Sequence, residues 1–106
     1  MTGIHDVQEA IRGLPTVMGI ENELRLVGMI MNLQEEDVYS NIGEFRDVID
    51  ALVTSRHDTY YELNSENIKY FHKFSDWLIH ISNKLEGGIK EEIVDAARIM
   101  KIHPEF

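Results

Sequence analysis

Three side chains able to bind a metal ion recur in residues 67–85, NIKYFHKFSDWLIHISNKL: His72, Asp76 and His80, each four residues from the next. On a helix, i and i+4 groups are neighbours, so one pair could fill two positions of a zinc site. All three cannot serve one ion, because eight residues span about 12 Å of helix axis. Stepping the segment at about 100° per residue gathers Tyr70, Phe74, Trp77, Leu78, Ile81 and Leu85 into one stripe. His72 and Asp76 fall opposite that stripe and His80 between the two. The expectation is a solvated face, with no metal ligands and no resident cofactor.

Paired carboxylates are the next chemistry to weigh. Glu44 and Asp47, and again Glu92 and Asp95, stand at i, i+3, a spacing that lets two carboxylates share one hard cation. This ExxD pattern resembles part of the magnesium-binding signature of the all-α NTP pyrophosphohydrolases of the MazG type. The resemblance implies, as an alternative function, magnesium-dependent nucleotide hydrolysis. The EExxE half of that signature is missing: Glu21 and Glu23 face different directions, and Tyr39 stands where the pair Glu35-Glu36 would need a third acid. Arg98 and His103 have the R-x4–6-H spacing of HEPN-type ribonucleases, but Ile99 occupies the position of the polar residue expected after the arginine. Neither His72 nor His80 is followed by the x-x-K-G of a phosphorelay histidine. There is no cysteine, and no serine lies in a G-x-S-x-G elbow. No residue is therefore assigned a catalytic role.

Charge is more informative. Ten Lys+Arg face nineteen Asp+Glu, a net charge of −9 over 106 residues. The first 53 residues hold ten acids and only three bases, Arg12, Arg25 and Arg46, and no lysine precedes Lys69. A phosphate backbone or an anionic membrane would be repelled. A basic protein partner is favoured, with a non-catalytic interaction module of the inhibitor, immunity or antidote kind as the expected function. Glu35, Glu36, Asp37, Glu44 and Asp47 are the expected contact residues. Without cysteines the chain has no disulfides, and its start, MTGIHDVQEA, lacks the basic and apolar blocks of a secretory signal. A cytoplasmic location is the expectation.

These residues must be held by helices, because strand-like alternation is absent throughout. The length suits a single domain over residues 1–106. Ile4, Val7, Ile11 and Leu14 mark a short N-terminal helix closed by Pro15. Residues 20–34 form a second helix, apolar on more than one face and so expected at the centre. An acidic turn, Glu35-Glu36-Asp37, precedes a third over about 38–55. A fourth starts near Thr59, where Thr59 and Glu62 have capping-box spacing, and stops at Gly87-Gly88. Ile89, Ile93, Ala96, Ala97 and Met100 define a fifth. The fold class is all-α: a small bundle of four main helices plus the short N-terminal one. Tyr61, Ile68 and Ile79 line up opposite the stripe of the fourth helix. They are expected to be covered either within the chain or by another subunit, giving a possible homo-oligomer.

Overall fold

A computed structural model of the chain describes residues 3–59 and 63–101. Six helices follow in order: α1 (Ile4–Arg12), α2 (Ile20–Met31), α3 (Glu35–Ser40), α4 (Ile42–Thr59), α5 (Ser65–Ser82) and α6 (Gly87–Met100). No strand occurs among the described residues, so the all-α architecture holds. Among the described residues no helix is long and apolar enough to cross a membrane. The radius of gyration is 12.9 Å, close to the roughly 13 Å of a well-packed chain of this size.

The expected third helix is two. Asn41 breaks it, with φ −127° and ψ 44°. Its side-chain amide donates to the Asp37 carbonyl (3.0 Å) and carboxylate (2.9 Å), closing α3 on itself. The acids at 35–37 are therefore the first turn of α3 rather than a loop, where negative charge suits the helix dipole.

The expected start at Thr59 is also corrected. Thr59 is the last residue of α4, and its hydroxyl turns inward to a buried carboxylate. Asn64 caps α5 instead, its Oδ1 accepting the Asn67 N–H at 2.9 Å. Glu62, the other half of the expected box, lies outside the described residues. At the far end α5 stops at Ser82, and Gly87 opens α6 rather than ending α5. Gly87 has φ +68°, a conformation that a side chain would strain.

Centrality belongs to α4, which packs against α1, α2, α3 and α6, and not to α2. Its inner face buries Phe45, Val48, Ile49 and Leu52. The most extensive pairing is α5 with α6. Small residues allow it: Ser75 on α5 and Ala96 and Ala97 on α6 are buried, and the Ser75 hydroxyl donates to the Ala97 carbonyl at 2.6 Å.

That close approach rotates α5 from the phase its large side chains suggest. Phe71, Phe74, Leu78 and Ile81 are fully buried, together with Ser75 and Ser82, whereas Tyr70, Trp77 and Leu85 are only partly covered. Trp77 lies at the core margin, stacked on Phe74 and tilted against Phe45, with both ring centroids at 6.0 Å. Tyr70 instead meets α2 at Gly28, where an added Cβ would stand 3.1 Å from the phenol oxygen.

Candidate interaction surface

The metal-like trio of α5 does not converge. His80 meets Glu35 of α3, Asp76 lies 3.2 Å from Lys101, and His72 is half-buried. Among the described residues no three His, Cys, Asp or Glu side chains come together as a metal site would require.

The five acids singled out for partner contact divide into two groups. Asp37 is committed within the fold. One carboxylate oxygen accepts the Ile4 N–H at the start of α1 (2.9 Å), and the other takes the Asn41 amide. Glu35 joins α3 to the end of α5 through His80 and, at 3.9 Å, Lys84. Lys84 also lies over the Tyr39 ring, 5.7 Å from its centroid. The Tyr39 hydroxyl donates to the Ile81 carbonyl at 3.0 Å. Burial, and then the negative charge of Glu35, push the Tyr39 phenol above its ordinary pKa. Glu36 is exposed and Glu44 half-buried.

Asp47 belongs to a different neighbourhood, the outer face shared by α4 and α6. Arg46 sits there between acids, 3.7 Å from Asp47 and 3.8 Å from Glu92. Asp50 adds a third carboxylate one turn further along α4. Its pKa is raised, first by partial burial, then by Glu92 and Asp47, with Arg46 acting in the opposite direction. One guanidinium does not offset three carboxylates.

Beside this face lies a groove. The end of α1 and the loop after it close against α4 around Ile11, Leu14, Pro15, Met18, Ala51 and Thr54, leaving about 220 Å³. A second hollow of about 180 Å³, lined by Gln8, Ile11, Arg12, Asp47 and Val48, shares Ile11 with the first. Val17, at the same loop, is 45 % exposed.

Of the three residues expected at an oligomer contact, two fall among the described residues. Ile68 is partly buried against this chain's own core, Ile79 is 39 % exposed, and Tyr61 lies outside the described residues.

One polar cluster escaped the sequence reading. Glu23 of α2 is fully buried and Arg56 of α4 is 1 % exposed, with 2.5 Å between Oε1 and Nη1. Ser55 donates to Glu23 Oε2 at 2.6 Å and accepts the Met18 N–H at 3.0 Å. Thr59 donates to the same carboxylate oxygen at 2.6 Å and accepts from Arg56 Nη1 at 3.0 Å. The guanidinium lies over the Phe71 ring, 4.6 Å from its centroid. Sealed from solvent, the cluster joins α2, α4 and α5 and has no room for a substrate. Its signal was in the sequence. Glu23 shares the i, i+3, i+4, i+7 row of Leu26, Val27 and Ile30, and Arg56 continues the row Phe45, Ile49, Leu52. Two opposite charges at core positions on different helices point to each other.

The chain matches no protein-family model, no curated protein and no solved structure.

Proposed function

We propose that the protein is a non-catalytic interaction module that binds a basic protein through the outer face of α4 and α6, acting as an inhibitor, immunity or antidote factor. The observation that carries this reading is the crowding of Asp47, Asp50 and Glu92 around the single Arg46, with the Asp50 carboxyl driven up partly by its acidic neighbours. Cationic side chains of a partner would relieve that repulsion and would be steered to it over long range. The net charge of −9 adds to the steering and opposes nucleic acid and anionic lipid as ligands. The lack of cysteine suits a reducing compartment such as the cytoplasm.

The test is affinity capture from the native host at low salt, followed by association kinetics with the captured protein. Asp47→Asn, Asp50→Asn and Glu92→Gln together should slow association and flatten its salt dependence. Wild-type rates across a salt series would overturn the reading. A screen for pyrophosphate release from nucleoside triphosphates with magnesium covers the hydrolase alternative. Hydrolysis abolished by Glu44→Gln with Asp47→Asn would establish the enzyme instead.

A further inference from the structure

We propose that the groove between α1 and α4 docks an amphipathic, basic helical segment of the protein partner, laid along α4 between Asp47 and Asp58. This inference rests on the acidic-face reading above and gives it a recognition element.

Two hollows lie along this seam, and Ile11 lines both of them. Its wider part has an apolar lining, with Leu14, Pro15 and Met18 on one side and Ala51 on the other. Val17 stands exposed at 45 % beside it, and the only other large apolar side chain so exposed among the described residues, Ile79, is on α5. An exposed apolar residue next to an apolar hollow extends the surface a ligand can cover.

Charge selects the occupant. Asp47, Ala51, Thr54 and Asp58 form one i, i+4, i+7, i+11 row on α4. The two exposed aspartates thus stand about 16 Å apart, three helical turns, with the small residues Ala51 and Thr54 between them. Arg12 lines the same hollow as Asp47 but is paired with Glu9 at 3.0 Å, a pair with no net charge, while Arg46 stands 3.7 Å from Asp47 and the His57 ring 3.5 Å from Asp58. A partner helix that sets apolar anchors at i, i+4 and i+7 into the groove would bring flanking lysines or arginines to both aspartates. A second copy of the chain carries the same charge of −9 and is repelled. Anionic lipid is repelled for the same reason.

The probe is a synthetic leucine/lysine peptide of about four helical turns with helical periodicity, titrated into the full chain and followed by amide chemical shifts. Its control replaces every lysine by glutamate. The lysine peptide should move the resonances of Ile11, Val17, Ala51 and Thr54 most, and the glutamate peptide should not bind. Ala51→Lys should weaken binding about tenfold or more, the loss of one central contact. Thr54→Lys, at an exposed position that leaves the fold intact by circular dichroism, should do the same. Shifts spread over all the acids and unchanged by both variants would overturn the proposal. Equal binding of the glutamate peptide would also overturn it, as would a wild-type dimer that either variant disperses. The captured partner separates the two inferences. If it is lost with Asp50→Asn and Glu92→Gln but held by Ala51→Lys and Thr54→Lys, the groove fails and the acidic face stands. If none of these changes releases it, the acidic face fails too.

Discussion

Glu23 and Arg56 each occupy a place that an apolar residue would fill at lower desolvation cost, and neither can be removed alone without harm. Glu23→Gln leaves the buried guanidinium without a counter-charge, and a loss of about 3–5 kcal/mol is expected in urea denaturation. Replacing both, as Glu23→Leu with Arg56→Met, should recover most of that loss, because two desolvated charges leave together. A single-variant loss under about 1 kcal/mol would mean that water reaches the pair. Trp77 and Phe74 make a second contrast at this scale. Phe74 is fully buried, so Phe74→Ala should cost about 3–5 kcal/mol. Trp77 is only partly covered, and Trp77→Ala should cost about half as much, with emission that acrylamide quenches.

Among the elements, α1 and α3 depend on each other. The Asp37 carboxylate satisfies the Ile4 N–H, one of the free donors that every helix start carries, while Asp6 takes the Gly3 N–H at 2.9 Å. Asp37→Ala should cost about 1 kcal/mol and speed hydrogen exchange in the first turn of α1, with α5 and α6 unaffected. The α5–α6 pair depends on small side chains, so Ala97→Leu should cost about 1–3 kcal/mol by overpacking. Ile68 is partly buried against its own chain's core, and Ile68→Lys should accordingly lower stability; a change in light-scattering mass with stability unaltered would place a subunit contact there.

Over the whole molecule, excess negative charge opposes compaction, so moderate salt should raise the urea midpoint by screening it. Asp50 contributes a pH dependence of definite sign. Its raised pKa means that the folded state holds the proton more tightly than the unfolded chain does. The stability this supplies is fully present below the ordinary aspartate value, about 4, and is lost as pH rises through the raised one. Asp50→Asn should therefore be more stable than wild type at pH 7, and the difference should vanish as pH falls below about 4. A variant no more stable at neutral pH would show that Arg46 outweighs burial, Glu92 and Asp47 together.

The sequence by itself determined the helical class, the places of most helices and the acidic excess, since periodicity and composition are local properties that burial merely uses. It also placed Glu23 and Arg56 on apolar rows, a signal the sequence reading missed; that they pair with each other is shown by the structure. Tertiary structure decided the rest. Whether Thr59 begins a helix or ends one depended on a carboxylate 36 positions away. The phase of α5 depended on its packing against α6, where Ser75 turns inward to the Ala97 carbonyl and Trp77 is left at the margin. The same holds for the acids. Glu35, Glu36 and Asp37 are equivalent as a charge run, yet the approach of α1 and α5 leaves Glu36 exposed while Asp37 caps a helix and Glu35 holds His80. How much of a charge is left for a partner depends on the groups of its own fold that lie near it, and that is set by which helices meet.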